Sequence, residues 1–178
     1  MKFTETGIPG AWVIDPDIFP DERGLFAQVF CQEEFARRGL NPDIAQANAS
    51  LSPRRGTLRG MHYQVPPKAE AKLVRCTAGA IFDVVLDLRP DSPAFRRWYG
   101  VELTSRNRRM LYVPEGCAHG LLTLADDTEV SYLISQTYSP EHARGVRWDD
   151  PAFGIAWPEP VQVIGERDRT YPDFRGQP

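Results

Sequence analysis

The sequence predicts an all-β domain, a sandwich or barrel of short strands with one clear short helix. Three observations carry that reading. Short apolar runs with period-two character recur along the chain. Turns rich in Pro, Gly and Asp separate them at near-regular spacing, which suits a sandwich or barrel rather than βαβ units. A helical pattern fits one short stretch, Gln32 to Arg38.

That helix comes first in chain order. Phe35 lies on its inner side, and Gly39 supplies the stop. The segment Arg59-Gly60-Met61-His62-Tyr63-Gln64 reads as a strand loaded with polar chemistry. Strands follow over Lys72 to Thr77, Ile81 to Leu88, Trp98 to Thr104, Met110 to Val113, Leu121 to Leu124 and Thr128 to Ser135. Ala78-Gly79, Pro90-Asp91-Ser92-Pro93, Ser105-Arg106-Asn107 and Ala125-Asp126-Asp127 are the turns between them. From Pro151 onward the chain is rich in Pro and Asp and is read as wrapping loops or short turns. There is no repeat, low-complexity segment or linker, so residues 1–178 form a single domain.

Composition narrows the function. At 178 residues and 42% hydrophobic content the chain can bury a sizeable core, and no run is long or clean enough for a membrane span. The opening Met1-Lys2-Phe3-Thr4-Glu5-Thr6 lacks the apolar core of a signal peptide, so a cytoplasmic location is expected. Cys31, Cys76 and Cys117 are odd in number and lack paired metal spacing, which favours free thiols in a reducing compartment. Cys117 near His119 raises a thiol nucleophile, against which stands a small buried filler. A net charge of −3 argues against a nucleic-acid partner. The local arginines Arg23, Arg54, Arg55, Arg59 and Arg75 suit a small phosphorylated ligand better than a polymer.

Two of the three histidines stand in settings that suggest proton chemistry or anion binding, His62 in the strand above and His119 in Pro114-Glu115-Gly116-Cys117-Ala118-His119-Gly120. In strict alternation Arg59 and His62 face opposite ways. If both serve one site the strand must bend, and Gly60 is where a bulge is easiest. Tyr132 shares parity with Val130 and Ile134, which points its phenol inward, as a core residue or a functional one. Lys72 alternates with Val74 and Cys76, and Asp83 with Val85 and Asp87. If those faces point inward, a Lys–Asp pair inside a barrel marks a site; if outward, both are solvated positions. A metal would ask for a close His-x-His pair and a nearby Glu. His62 is followed by Tyr63 and Gln64, so that motif is incomplete, and His142 lies in the exposed-looking Pro140-Glu141-His142-Ala143.

Eight motifs in order resemble those of the dTDP-4-dehydrorhamnose 3,5-epimerases, sugar-nucleotide cupins. They are Phe19-Pro20-Asp21-Glu22-Arg23-Gly24, Gln46-Ala47-Asn48-Ala49-Ser50, the segment from Gly56 to Gln64, Lys72-Leu73-Val74-Arg75, the segment from Ile81 to Arg89, that from Val113 to Gly120, Tyr138-Ser139-Pro140-Glu141, and Arg147-Trp148-Asp149-Asp150-Pro151. The resemblance implies a cupin jelly-roll barrel with one or more short helices, no metal or redox cofactor, and a homodimer. It implies His62 as general base with Asp168 charging and orienting it, Tyr132 as acid, and Lys72 on the enolate oxygen. Arg23, Gln46, Asn48, Arg59 and His119 would hold the nucleotide diphosphate, with Tyr138 against the base. Phe26 and Gln28, beside the first motif, and Arg167, beside Asp168, are further candidates for substrate binding. The chain departs from the family where Gln28 and Ala143 replace acids and Arg167 replaces a lysine; these positions bear on nucleotide recognition more than on proton transfer.

The implied activity is epimerisation at C3, C5 or both of a nucleotide-activated 4-keto-6-deoxy sugar, such as dTDP-4-keto-6-deoxyglucose. Alternatives are a single-site epimerase of a modified or non-dTDP sugar, a keto-group isomerase, a metal-dependent cupin oxygenase, and a non-catalytic sugar-nucleotide binding module.

Overall fold

The computed structural model describes residues 1–176. The first half of the chain carries strands β1 (Lys2–Glu5), β2 (Trp12–Asp15), β3 (Ile18–Asp21) and β4 (Gly24–Ala27), then helix α1 (Gln32–Arg37), β5 (Gln46–Ser52), β6 (Thr57–Gln64), β7 (Lys72–Ala78) and β8 (Ala80–Asp87). Then come β9 (Trp98–Thr104), β10 (Met110–Val113), β11 (Cys117–Thr123), β12 (Thr128–Ile134), β13 (Ala143–Gly145), β14 (Val163–Ile164) and helix α2 (Glu166–Arg169). Two sheets face each other as a jelly-roll barrel. One runs in the order β1-β2-β10-β7-β12-β5 and the other β13-β6-β11-β8-β9, with β14 lying parallel to β6. The all-β expectation holds.

Three apolar layers hold the barrel. Between the sheets, Val74, Cys76, Leu111 and Val130 meet Ile81, Val85, Leu103 and Leu121. On the outer face of the first sheet, Phe35 of α1 packs with Ile14, Leu73, Met110 and Tyr112. On the outer face of the second, Met61, Tyr63, Val84, Leu86 and Ala118 are covered by Val146 and Phe153 of the C-terminal tail. Strands β7, β8 and β11 are therefore clad on both faces, which is why they read as nearly continuous apolar runs. The expected helix ends as its sequence dictates. Gly39 takes φ of 70°, donates to the Ala36 carbonyl at 3.0 Å, and Leu40 N–H returns to Phe35 at 3.1 Å.

Several strands were not legible. β1, β3, β4, β5 and β13 are short or largely exposed, and none carries an alternating apolar face long enough to read as a strand. The tail expected to be loops and turns contains β14 and the single-turn α2, which together bring Asp168 against β6. Among the described residues no helix is long and apolar enough to cross a membrane.

Candidate active site

The site is built where edge strand β5 of the first sheet approaches β6 of the second. Arg59 ties the two together, donating from Nε to Ser52 Oγ at 3.1 Å and from Nη2 to the Leu51 carbonyl at 3.2 Å. A cavity of about 510 Å³ opens there. Gln46, Asn48 and Ser50 line it from alternate positions of β5, as a period-two strand requires.

Strand β6 supplies both Arg59 and His62 to this one cavity by bending. Opposite β11, His119 pairs with His62 but Leu121 pairs with Arg59, so β6 holds one extra residue. The bend lies at Gly60, where φ is 126°. A Cβ here would lie 2.5 Å from Gly120 Cα and 2.8 Å from the His119 carbonyl oxygen, so only glycine fits. The bulge expected at Gly60 is present.

His62 Nε2 lies 2.6 Å from Asp168 Oδ1. The other carboxylate oxygen of Asp168 accepts the Gly60 N–H at 3.0 Å. Burial alone would raise the Asp168 pKa, but the hydrogen bond and charge of His62 and the Gly60 N–H outweigh it and hold the carboxyl below its ordinary value. An ionised carboxylate can only accept, so in the neutral imidazole Nε2 is the nitrogen that carries the proton and Nδ1 the one that keeps its lone pair. The His62 side chain is 39% exposed while that of Asp168 is 12% exposed. The imidazole is thus open to the cavity while its carboxylate is shielded, as a base and its orienting partner need to be. The Tyr171 ring stands edge-on to the imidazole at 6.4 Å and fills the space a side chain at Gly145 would need.

The facing wall comes from the first sheet. Tyr132 points inward from β12, as its parity with Val130 and Ile134 requires, and its hydroxyl lies 3.0 Å from Ser50 Oγ. Burial pushes its pKa up to about 12, with Ser50 opposing, so the phenol stays protonated at neutral pH. Lys72 and Asp83 also point inward, which decides the alternative the sequence left open. Their partners are other groups, however. Lys72 Nζ lies 2.9 Å from Glu70 Oε1 and 3.3 Å from the His62 carbonyl. Asp83 Oδ1 lies 2.7 Å from His119 Nε2, and its second oxygen is buried without a partner. Desolvation raises the Asp83 pKa against the opposing pull of His119 and Lys72. The cavity therefore holds two His–carboxylate pairs, one open to it and one buried. Among the described residues no group of three or more His, Cys, Asp or Glu converges as metal ligands would. Cys117 is a buried thiol with its pKa pushed up by desolvation to about 12, as an inert filler would be.

Arg59, Tyr138 and Arg167 also line the cavity. Gln46 Oε1 accepts the Tyr138 N–H at 2.9 Å, setting the loop that carries this exposed ring. Arg167 is drawn toward Tyr138, which raises its pKa, and its guanidinium lies 5.8 Å from the Tyr171 ring centroid. The departures at Ala143 and Arg167 both line the cavity. Arg23, Phe26 and Gln28 do not. They belong to or adjoin the β3–β4 hairpin, outside this chain's own cavity, with Arg23 bonded to Asp21 and Phe26 68% exposed. Glu70 and Arg144 are charged lining residues that sequence reasoning missed. Glu70 lies two residues before Lys72, just ahead of β7, and that spacing was the available signal.

A family model described as dTDP-4-dehydrorhamnose 3,5-epimerase matches residues 5–176. The chain belongs to that family. A dTDP-4-dehydrorhamnose 3,5-epimerase from Sinorhizobium fredii is 44% identical over 175 residues, covering 98% of this chain and 90% of the relative. The crystal structure of the enzyme of that name from Elizabethkingia anophelis superposes with a TM-score of 0.95 at 36% identity, covering 98% of this chain and 97% of that one. A 3′-monoepimerase from Streptomyces bikiniensis, solved with dTDP-quinovose, gives a TM-score of 0.86 at 37% identity over 94% and 85% of the two chains. The chain is thus an isomerase of the sugar-epimerase class, with a cavity lined by most of the residues its motifs single out.

Proposed function

We propose that the protein epimerises C3 and C5 of dTDP-4-keto-6-deoxyglucose or a close nucleotide-sugar relative. The observation that carries this reading is the pairing of an oriented base, His62, on one sheet with a protonated phenol, Tyr132, on the other, across one cavity. A hydrogen beside a ketone is acidic because the enolate spreads its charge onto oxygen. His62 Nδ1 takes that proton and Asp168 stabilises the resulting imidazolium. The Lys72 ammonium stabilises the enolate oxygen most in the transition state. Tyr132 returns a proton from the opposite face, which inverts the centre. Arg59 and Arg167, with no carboxylate within 4.0 Å among the described residues, and the Gln46 and Asn48 amides suit a diphosphate and its sugar, and His119 lies beside them.

The hairpin residues Arg23, Phe26 and Gln28 serve the nucleotide when a second copy brings them to the cavity. The exposed Ile18, Phe19, Leu25 and Phe26 of that hairpin support a homodimer. The free thiols of Cys31, Cys76 and Cys117 fit a cytoplasmic setting. Likeness to a 3′-monoepimerase supports a second reading, inversion at one carbon alone.

The test is incubation with dTDP-4-keto-6-deoxyglucose in deuterated water, followed by proton NMR. Loss of the C3 and C5 signals supports the double epimerase, and loss of one supports the single-site enzyme. His62→Asn is expected to stop exchange and leave dTDP binding nearly intact. Binding without exchange by the unaltered protein would return the weight to a non-catalytic module, and about one Fe, Mn or Ni per chain on metal analysis to an oxygenase.

A further inference from the structure

We infer that Glu70 is a positioning residue for the reaction, aiming the Lys72 ammonium at the enolate oxygen; this rests on the role proposed for Lys72. Glu70 precedes β7 and shares a face with Lys72, so both side chains enter the cavity wall together. Each side chain is 10% exposed, and the Nζ–Oε1 distance is 2.9 Å. An ammonium has three N–H donors. One is directed to Glu70 and a second to the His62 carbonyl at 3.3 Å. The third is left for the cavity. Without Glu70, a four-carbon side chain with freely rotating donors would have one fixed acceptor and would sample several directions.

The His62 carbonyl belongs to the same residue as the base. Anchoring Lys72 there and at Glu70 fixes the donor for the enolate relative to the group that creates it. Glu70 has a second effect. Nearby, Asp83 is fully buried and keeps one oxygen unpartnered. The Glu70 carboxylate, 2.9 Å from Nζ, is the ion-pair partner of the ammonium in place of that of Asp83. Both effects act through Lys72, so Glu70 need not touch the sugar.

The experiment compares Glu70→Ala, Glu70→Gln, Lys72→Met and the double variant Glu70→Ala/Lys72→Met by deuterium exchange and by dTDP titration. Glu70→Ala is expected to lower exchange at each reacting carbon in equal proportion, by about 10- to 100-fold, as misplacement of a catalytic group by about an ångström does. The dTDP Kd should stay within about twofold, which a general loss of structure would not allow. Glu70→Gln, whose amide oxygen still accepts from Nζ, should recover at least about fivefold over Glu70→Ala. In the Lys72→Met background, removing Glu70 should cost nothing further, since residues that act as one unit are not additive. Unchanged exchange in Glu70→Ala, equal loss in Ala and Gln, or full additivity in the double variant would overturn the inference while leaving the epimerase reading intact. Absence of exchange by the unaltered protein on the same sugar would overturn both.

Discussion

Replacing Asp168 by Asn tests the proposed base most directly. Asp168 makes two contacts, one to His62 Nε2 at 2.6 Å and one from the Gly60 N–H at 3.0 Å. Asn can keep the second through its amide oxygen. Its amide N–H₂ then faces Nε2, which must become an acceptor, and the ring proton moves to Nδ1. That leaves the cavity-facing nitrogen without its lone pair. General-base catalysis and tautomer control together are worth about 10²- to 10⁴-fold. This is about 2.7–5.4 kcal/mol of transition-state free energy at about 1.36 kcal/mol per tenfold. Folding should suffer less. One charge-assisted hydrogen bond is replaced while the backbone contact survives, so the loss should stay below about 3 kcal/mol. The assay is the initial rate of deuterium incorporation, beside a dTDP titration and a urea melt of the same sample. A loss smaller than about fivefold with an intact fold would refute the claim that Asp168 sets the His62 tautomer.

Three further outcomes are expected. Tyr132→Phe removes the acid and its contact to Ser50 but leaves the base, so deuterium exchange should survive better than formation of inverted product; equal loss of both would assign Tyr132 a structural role. Gly60→Ala meets a φ of 126° and the backbone of Gly120, and should cost about 3 kcal/mol or more in a urea melt, or abolish folding. Acid unfolding supplies the third. The folded-state pKa of Asp168 is depressed, so its stabilisation is present above the ordinary value of 3.8 and is lost as pH falls through the lower folded value. Below pH 3.8, therefore, Asp168→Asn should lose less stability with falling pH than the unaltered protein does, and parallel acid melts of the two would contradict the shift.

The legibility of this site follows the periodicity of its strands. Tyr132 could be placed inward because alternation with Val130 ties it to an apolar face, whereas for Lys72 and Asp83 alternation named the face-mates but left the direction open, which the structure decides. Gly60 marked the bend because, if Arg59 and His62 serve one site, their strand must bend, and glycine is where a bulge is easiest. What alternation cannot give is the partner across the barrel. The sequence raised a Lys72–Asp83 pair, whereas the fold gives Lys72 to Glu70 and Asp83 to His119. Those choices depend on sheet register and on side-chain reach. The contribution of α2 was visible only through family resemblance, since a four-residue helix has no period to detect. β5 and the β3–β4 hairpin escaped for a related reason: exposed strands carry little apolar alternation.

The base and its carboxylate lie 106 residues apart in the chain. His62 is synthesised early and sits in a strand whose neighbours β8 and β11 follow soon after, yet its partner emerges only with α2. During synthesis the strands that carry Tyr132, Lys72 and Arg59 are all made before α2 delivers Asp168 and Arg167 together, so until then the imidazole is undirected. On the roles proposed for His62 and Asp168, proton abstraction has to wait for α2. A cut between β14 and α2 should leave Gln46, Asn48 and Arg59 on their strands while removing the carboxylate that directs His62, so sugar exchange should be lost before the strand scaffold is.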